Sequence, residues 1–381
     1  MVQGMLGIMI RRLSSTTLRK RRVLVRVDVN VPIAGSRVTG DFRIRAHLPT
    51  IRLLLKGGNT LVLLAHHSTD GQTLAPVARR LSRLIGEPVG FLKDPAHPGM
   101  LQHRVMLAEN LRRWRGEEAA GRAFARMLAR LGDAFVNDAF AVAHRHAAST
   151  AILPKLLPSY IGPLFAEEIA ELDRILQRPK RPLVAVFGGA KLETKLKLLQ
   201  RFDALADRVL VGGSIANALL IARGTAIADP RARKEVTAAV RALARSRRIV
   251  LPIDAAVATA PTDRRIAVRS IADIRRGEGM YDIGPETVRL FAKEIGGAKT
   301  IIWNGPLGMT EIAAFRAGTL AVAKAIARSR GRSTVGGGDT IAWLEAEGLA
   351  KKFNYVSTGG GAMLAYLAGE KLPALEALKR S

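Results

Sequence analysis

Short runs of apolar, β-branched residues recur along the chain, and each ends in glycines or polar residues before a segment of helical periodicity begins. These runs predict strands over 23–29, 60–64, 104–107 and 134–136, and then over 183–187, 208–211, 249–253, 300–303 and 355–356. Segments between them, such as 74–85, 194–205 and 313–327, alternate apolar and basic residues at helix spacing. Strands that alternate with helices predict an α/β protein whose parallel sheets are covered on both faces.

The chain is long enough for more than one such sheet. A domain has roughly 100 to 200 residues and an open sheet rarely exceeds about ten strands, so two doubly wound parallel-sheet domains fit 381 residues better than one. Prolines cluster on both sides of a predicted helix over 167–176, within a seam at 153–181. We therefore expect an N-terminal α/β domain at 1–160, a connecting helix or hinge at 161–180, and a C-terminal α/β domain at 181–365.

Composition excludes several classes of protein. The chain has no cysteine, which removes disulfides, thiolate metal sites and cysteine nucleophiles. No apolar run approaches the roughly 18 residues of a membrane span, so membrane insertion is not expected. The first 27 residues carry seven bases and no acid, but their apolar run at 5–10 is too short for a secretory core. We expect an ordinary N-terminus rather than a targeting peptide.

The net charge of +28, from 60 basic and 32 acidic residues, makes anionic partners plausible. Nucleic acid, anionic lipid and phosphorylated metabolites all supply fixed negative charge, and charge alone does not choose among them. Aromatic residues make up only 5% of the chain, so platforms for stacking nucleobases are scarce.

Glycine-rich turns follow several strands of the second half, at 188–191, 212–213, 336–340 and 359–361. Glycines between a strand and a helix let backbone amides approach a phosphate, and the helix N-terminus adds partial positive charge. A single turn of this kind often binds nothing, whereas four in one domain favour a nucleotide. Neither G-x-G-x-x-G nor G-x-x-x-x-G-K-[ST] occurs, so the chain has neither a Rossmann fingerprint nor a P-loop.

Three charged residues beside these turns have two possible roles. Lys191 and Lys195 are four apart and are predicted to share one face of the helix that begins after Gly189. They either form a solvated face or neutralise a phosphoryl group in transfer. Asp339 follows three glycines, where it is either a magnesium ligand or a helix N-cap.

The strand ends of the first half carry cations, amides and imidazoles instead. They are Asp28, Asn30, Arg43, His66, His67, Asn110, Arg112, Asn137, Asp138, His144, Arg145 and His146. Arginines and histidines that come from successive strands toward one sheet edge predict a pocket for a small polyanion. Any single arginine in so basic a chain could be an ordinary surface base, so the asparagines and histidines are the better signal.

Taken together, these residues resemble the phosphoglycerate kinase family over about 18–378. The matching motifs are VRVDVNVP at 25–32, RIRA at 43–46, LPT at 48–50, ENLR at 109–112, VNDAF at 136–140, AHR at 143–145, GGAK at 188–191, DIGP at 282–285, WNGP at 303–306, GGGDT at 336–340 and STGGG at 357–361.

The resemblance implies two doubly wound domains, with residues 366–381 returning to the first. It implies phosphoryl transfer between the acyl phosphate of 1,3-bisphosphoglycerate and magnesium-ADP, with closure of the domains. It assigns the glycerate substrate to Asp28, Asn30, Arg43, His66, Arg112 and Arg145. It assigns the nucleotide to Gly189, Lys191, Lys195, Gly213, Asn304, Glu311, Gly337, Gly338, Asp339 and Thr340, with Mg²⁺ on Asp339. Arg43, Lys195, Gly337 and Gly360 are the implied catalytic groups.

Two departures from the family pattern fall in the implied glycerate pocket. The family usually has Ser-His-Leu-Gly-Arg-Pro where this chain has residues 65–70, so Thr69 stands in place of an arginine. The second histidine of His-Arg-Ala-His is displaced by one position, to His146. A charge-assisted hydrogen bond contributes about 1.5 to 3 kcal/mol, so losing the arginine would weaken phosphoglycerate binding roughly tenfold to a hundredfold unless His67 or His146 replaces it.

The leading hypothesis is a magnesium-dependent, monomeric, cytoplasmic kinase that uses ATP and 3-phosphoglycerate. A kinase of the same fold with a different small carboxylate as acceptor is an alternative, motivated by Thr69 and His146. A non-catalytic polyanion or nucleic-acid binder, motivated by the net charge, is a third and ranks below both.

Overall fold

The computed structural model of the protein describes residues 2–3, 9–99, 102–263 and 265–379. Residues 5–8 of the apolar run at 5–10 lie outside this part of the chain. The chain forms two compact units: unit 1 comprises Met1–Asp173 and Gly369–Ser381, and unit 2 comprises Arg174–Ala368. The division falls inside one helix, and the predicted role of 161–180 as a hinge stays a prediction.

Among its described residues, unit 1 contains ten strands, six complete α-helices and the greater part of a seventh. The strands are β1 (Val2–Gln3), β2 (Met9–Ile10), β3 (Arg22–Arg26), β4 (Ile33–Ala34), β5 (Arg37–Val38), β6 (Thr60–Leu64), β7 (Val89–Leu92), β8 (Val105–Ala108), β9 (Ala134–Asn137) and β10 (Ser159–Ile161). The helices are α1 (Phe42–Ala46), α2 (Leu48–Lys56), α3 (Ala75–Ile85), α4 (Arg115–Glu118), α5 (Arg122–Ala129), α6 (Pro163–Gln177), which crosses into unit 2, and the C-terminal helix (Pro373–Leu378).

Unit 2 contains nine strands and eight further helices. The strands are β11 (Leu183–Phe187), β12 (Arg208–Val211), β13 (Ile249–Val250), β14 (Asp254–Ala258), β15 (Ala267–Ser270), β16 (Gly279–Ile283), β17 (Thr300–Asn304), β18 (Arg332–Gly336) and β19 (Tyr355–Val356). The helices are α7 (Leu196–Leu205), α8 (Gly213–Ala222), α9 (Pro230–Lys234), α10 (Ala238–Ala244), α11 (Pro285–Gly297), α12 (Ala317–Arg328), α13 (Gly338–Ala346) and α14 (Gly360–Leu367).

Each unit is built on a six-stranded parallel sheet, which confirms the predicted α/β class. The strand order is β10-β9-β3-β6-β8-β7 in unit 1 and β13-β12-β11-β17-β18-β19 in unit 2. Apolar residues alternate between the two faces of the first sheet: Val23 and Val25 pack with α2 and α3, while Leu24 packs with α5. Such near-continuous apolar strands are what a sheet covered on both faces requires.

The topology fixes where a ligand can bind in each sheet. β3 lies between β6 and β9, and β11 lies between β12 and β17, so the direction of winding reverses beside β3 and beside β11. Crevices outside the carboxyl ends of the strands at such switch points are the usual ligand sites of doubly wound sheets. Arg26 pairs in register with Asn137, and Phe187 with Asn304, so these four residues mark the two candidate positions.

Several sequence predictions were incomplete. The strand predicted over 249–253 ends at Val250, because Pro252 lacks the N–H that a ladder needs. Strands β7, β10 and β18 were not predicted, since glycine, serine and threonine interrupt their apolar pattern. The three-stranded antiparallel sheet β15-β14-β16 was also missed, because its alanines carry no strand signal.

Candidate active site

At the carboxyl end of β3, a buried arginine organises the candidate anion pocket of unit 1. Arg26 is 2% exposed, and its guanidinium donates to Ser149 Oγ at 2.9 Å and to the Val27 carbonyl at 2.7 Å. Burial lowers the pKa of Arg26, while Glu117, which accepts from Ser149, opposes that shift. The sequence analysis did not single Arg26 out as a site residue, because it stands inside an apolar strand.

His66 lies against this arginine and is held in its neutral form. Arg26 Nη2 lies 3.1 Å from His66 Nδ1, and a guanidinium only donates, so the imidazole proton is on Nε2. Burial lowers the pKa of His66 well below its ordinary value, and Arg26, Arg112, Arg145 and Arg43 lower it further. Nε2–H makes no hydrogen bond within the described part of the chain and is available to an acceptor.

These groups line a cavity of about 230 Å³. Arg26, His66, Arg112, Arg145 and His146 contribute to its wall together with Glu117 and Glu118. Arg112 Nε is 3.2 Å from Glu118, and burial followed by repulsion from Arg145 lowers the pKa of Arg112. Three guanidiniums in mutual electrostatic range, with one imidazole donor, favour an anionic ligand.

Arg43 and Asp28 stand beside the cavity rather than in its wall. Arg43 Nη1 donates to Asp28 Oδ2 at 2.6 Å, and the Asn30 amide donates to Asp28 Oδ1 at 3.2 Å. Asn30 Oδ1 in turn accepts from the backbone and hydroxyl of Ser68. Asp28 therefore orients Arg43, and Asn30 holds the loop that follows His66.

A buried relay fixes Asp28 from behind, and its central residue was missed by the sequence analysis. His47 Nδ1 lies 2.8 Å from Asp138 Oδ2, and His47 Nε2 accepts from the Asp28 amide at 2.9 Å. The backbone N–H groups of Leu164 and Phe165, at the start of α6, donate to the other oxygen of Asp138. His47 was invisible in the sequence because it lies between two helices rather than at a strand end.

The structure decides between the two histidines that could replace the missing arginine. His67 is 7% exposed, its Nε2 lies 3.0 Å from the Val31 carbonyl, and its Nδ1 accepts from the Thr69 amide at 3.1 Å. Backbone groups thus occupy both ring nitrogens of His67, which leaves the ring no free donor for a substrate anion in place of the missing arginine. His146 is exposed and lines the cavity.

Three other candidate polar residues of unit 1, Asn110, Asn137 and His144, do not line the cavity. Asn110 is buried and bonds the loop at residues 67–72 through both ends of its amide. Asn137 is fully buried and accepts from the Ala139 amide. His144 does not line the cavity, and burial lowers its pKa.

In unit 2, glycine turns from four neighbouring strands are bonded to one another. The Gly188 amide donates to the Asn304 carbonyl at 3.0 Å, and the Gly189 amide to the Pro306 carbonyl at 2.8 Å. The Gly213 amide donates to the Leu307 carbonyl at 2.8 Å, and Asn304 Nδ2 donates to the Gly336 carbonyl at 2.9 Å. Three of the four predicted turns, at 188–191, 212–213 and 336–340, therefore meet at one edge of the sheet through the loop after β17.

Open space lies over the two turns nearest the helix N-termini. A Cβ added at Gly338 or at Gly360 would meet nothing within 4 Å, whereas one at Gly337 would lie 3.0 Å from Asn304 Nδ2. Gly337 has φ +107° and Gly360 has φ +49°, which side chains rarely adopt. Helices α13 and α14 thus begin beside an accessible glycine surface.

Lys195 is the buried cation of this cluster. It is 9% exposed and Nζ donates to the Gly188 carbonyl at 2.5 Å. Burial lowers the pKa of Lys195 to about 8, while Asp339 opposes the shift, so the ammonium is mostly charged at pH 7. The prediction that Lys191 shares its helix face is wrong: α7 begins at Leu196, and Lys191 lies exposed before it.

The acidic and hydroxyl residues near the turns have distinct environments. Asp339 is exposed in the first turn of α13, where Gly337 occupies the N-cap position, and its carboxylate makes no hydrogen bond to any described residue. Thr340 is buried, and its Oγ1 accepts from the Gly305 amide at 3.0 Å. Glu311 is exposed on the loop between β17 and α12.

A buried carboxylate supports that loop. Asp282 Oδ2 accepts from the Gly318 amide at 2.7 Å, and the neighbouring Thr319 hydroxyl accepts from the amides of Leu307 and Gly308. Burial raises the pKa of Asp282 to about 7, although three backbone N–H groups partly offset the shift. Asp282, the first residue of the DIGP motif, therefore anchors the start of α12, and Thr319 on that helix holds the loop that carries Glu311.

Comparison with known proteins identifies the family of the chain. A family model described as phosphoglycerate kinase matches residues 13–370. Phosphoglycerate kinases from Azorhizobium caulinodans and Thermomicrobium roseum are 40% and 42% identical to the chain; the first alignment covers 97% of this chain and 99% of the relative, the second 95% and 97%. Solved phosphoglycerate kinases from Coxiella burnetii (37% identity, TM-score 0.85) and Pyrococcus horikoshii (31%, 0.86) each match over 97% of this chain and 99% of theirs.

The chain belongs to the phosphoglycerate kinase family. It is accordingly a kinase, a transferase of phosphoryl groups. No helix within the described residues is long and apolar enough to cross a membrane.

Proposed function

We propose that the chain catalyses reversible phosphoryl transfer between the acyl phosphate of 1,3-bisphosphoglycerate and ADP, yielding 3-phosphoglycerate and ATP, as a step of glycolysis or gluconeogenesis. One observation carries the proposal: this member of the family has a candidate anion site at the switch point of each sheet. One is a cavity lined by guanidiniums, and the other is a set of glycine turns around Lys195.

The cavity of unit 1 supports binding of the glycerate. His66, Arg112 and Arg145 line it and would bind carboxylate or phosphate oxygens, with Arg26 behind them. Arg43, oriented by Asp28 and Asn30, would meet the acyl phosphate beside the cavity. Glu118 forms an ion pair with Arg112, so an incoming anion would compete with this carboxylate.

The glycine turns of unit 2 support binding of the nucleotide. Amides at Gly337, Gly338 and Gly360 are accessible to phosphate oxygens, and Gly189 and Gly213 keep the neighbouring turns close enough to pack. Lys195 would neutralise the transferring phosphoryl group, while Asn304 and Thr340 hold the turns together. Lys191 and Glu311, both exposed, would contact the outer part of the nucleotide.

The residues present fit a magnesium ion that arrives with the nucleotide. Mg²⁺ usually takes one or two protein carboxylates together with substrate phosphates and water. Asp339 offers one unpaired, accessible carboxylate beside the glycine surface, and no group of three acids or histidines forms a ready-made cage among the described residues. Bound there, the ion would neutralise charge on the phosphates.

Positioning and electrostatic stabilisation suffice for this chemistry, because phosphoryl transfer needs little covalent participation by protein groups. In unit 2, Lys195 would stabilise charge on the phosphate oxygens of the nucleotide, and the amides of Gly337 and Gly360 would add fixed dipoles; in unit 1, Arg43 would stabilise charge on the acyl phosphate. We further propose that the chain acts as a monomer in the cytoplasm. Neither the alternative acceptor nor the nucleic-acid function gains support from the family comparison.

A coupled assay with ATP, magnesium and 3-phosphoglycerate tests the proposal. We expect saturable turnover, and a loss of about 10²–10³ in kcat for Lys195→Ala, the magnitude typical of removing one preorganised donor. Lys293→Ala, which removes an exposed lysine from α11, is the matched control and should retain full activity. Turnover of the unaltered chain no higher than that of Lys195→Ala would refute the proposal.

A further inference from the structure

A second basic cavity lies in unit 1, apart from the groups used above. It measures about 260 Å³ and is formed by the hairpin of β4 and β5 and by one side of α3. Four arginines line it: Arg37 from the hairpin, and Arg79, Arg80 and Arg83 from the helix. We call it the arginine cavity.

The charges of the arginine cavity are not balanced within the protein. Asp41 is the one carboxylate in its wall, and it already accepts from Arg80 Nε at 2.9 Å and from Arg45 Nε at 2.9 Å. Arg79 donates to the Ser36 carbonyl at 2.9 Å, which carries no charge. Arg37 and Arg83 are exposed and form no ion pair with any described residue.

The arginines of the cavity repel one another, and an anionic ligand would offset this repulsion. Arg79 and Arg83 are four apart on α3, a spacing at which like charges destabilise a helix. Guanidiniums present planar forks of donors that match phosphate oxygens in pairs. Two linked phosphates offer more oxygens and more negative charge to the four arginines than a single phosphate does.

The size of the arginine cavity limits the occupant. Pockets for drug-sized ligands have about 300–1,000 Å³, so this cavity is suited to a smaller molecule. Its wall contains no aromatic side chain on which a nucleobase could stack. We propose that the arginine cavity binds a small polyanion with two linked phosphate groups, for which pyrophosphate is the simplest representative.

Isothermal titration of pyrophosphate into the full chain, without magnesium, tests this site. Pyrophosphate will also occupy other anion sites, so three chains are compared: the unaltered chain, Arg37→Gln/Arg83→Gln, and Arg126→Gln/Arg130→Gln. The last pair removes the same charge from exposed positions on and next to α5. We expect one binding event to weaken at least tenfold in the first variant alone. No transfer reaction is measured, so failure of the proposed kinase function would leave this result intact.

Two further measurements separate geometry from charge. Arg37→Lys/Arg83→Lys keeps the charge but loses the fork, and should weaken the same event several-fold while leaving the thermal unfolding midpoint unchanged. Identical isotherms for the two glutamine variants would overturn the proposal. So would tighter binding of single-stranded RNA than of pyrophosphate with the same dependence on Arg37 and Arg83, because the cavity would then belong to a nucleic-acid surface.

Discussion

The two candidate ligand sites are built from different parts of the polypeptide. In unit 1, charged side chains such as Arg26, His66 and Arg112 form the wall of the cavity. In unit 2, the surface of the candidate site is mostly backbone, which amide–carbonyl hydrogen bonds between the turns hold in place. A side-chain site can be retuned one residue at a time, whereas a backbone site depends on conformations that few residues can adopt. The departures from the family pattern at Thr69 and His146 fall in the first kind of site.

The largest expected effect follows from removing the buried arginine of the side-chain site. Arg26→Gln leaves Glu117 and His66 without their cationic partner, so the free energy of unfolding should fall by about 3 kcal/mol. The KM for 3-phosphoglycerate should rise roughly tenfold to a hundredfold, with a smaller change for ADP. Denaturant unfolding and initial-rate kinetics measure the two effects. Arg126→Gln, at an exposed position on α5, is the control, and equal effects in both variants would contradict the assigned role.

A smaller effect is expected from altering the backbone site. Gly337→Ala forces φ +107° on an alanine and sets its Cβ 3.0 Å from Asn304 Nδ2, which should destabilise the fold by about 2 kcal/mol. The turn must shift to relieve this contact, so the KM for magnesium-ADP should rise about tenfold. Gly348→Ala also requires a positive φ, +68°, but its Cβ would face open space. It should lose stability without losing nucleotide affinity; a similar KM in both variants would rule out the turn as the nucleotide site.

The same contrast explains which features were predictable from the sequence. Glycine clusters mark the backbone site because Gly189, Gly337 and Gly360 are required by their dihedral angles, and these occur in sequence as unusual runs. Parallel sheets were predictable because their strands are apolar on both faces. The roles of Arg26 and His47 were not predictable, because they depend on partners more than 35 residues away along the chain. Arg26 bonds Ser149 and His66, and His47 bonds Asp138. The burial of Lys195 was not predictable either, because helix spacing placed Lys195 on one face with Lys191 and left open whether that face is solvated or binds a phosphoryl group.

Substitutions at Thr69 and His146, the two departures from the family pattern, should change substrate affinity by intermediate amounts. Thr69 is exposed on the loop after His66, so Thr69→Arg should lower the KM for 3-phosphoglycerate up to about tenfold by restoring a cationic donor.

His146→Ala should raise the KM for 3-phosphoglycerate several-fold, because His146 lines the cavity. His67→Ala should instead reduce stability, since both its ring nitrogens bond the backbone. If His67→Ala changed KM and His146→Ala did not, the assignment of the substitute would be reversed.

The smallest expected effect is a fraction of a proton taken up when the side-chain site is filled. Burial and then the surrounding arginines hold the pKa of His66 well below its ordinary value, so the free protein carries it neutral at pH 6. An unfolded histidine binds a proton below about pH 6.5, so this group makes the fold less stable as the pH falls. A bound anion offsets the repulsion from Arg26 and Arg112, which raises the pKa of His66; because Nδ1 accepts from Arg26, an added proton must displace that hydrogen bond, so only a fraction of a proton is taken up.

Titrating 3-phosphoglycerate at pH 6 in two buffers of different ionisation enthalpy measures that proton. The ligand's own phosphate, with a second pKa near 6, contributes protons of its own, so the quantity of interest is the difference from His66→Gln. The unaltered chain should take up more protons than the variant, and the difference should vanish by pH 8, where neither free nor bound imidazole is charged. Equal proton linkage in the two chains at pH 6 would mean that the anion binds out of electrostatic reach of His66. The cavity wall would then have to be reassigned, while the assignment of the glycine turns of unit 2 would stand.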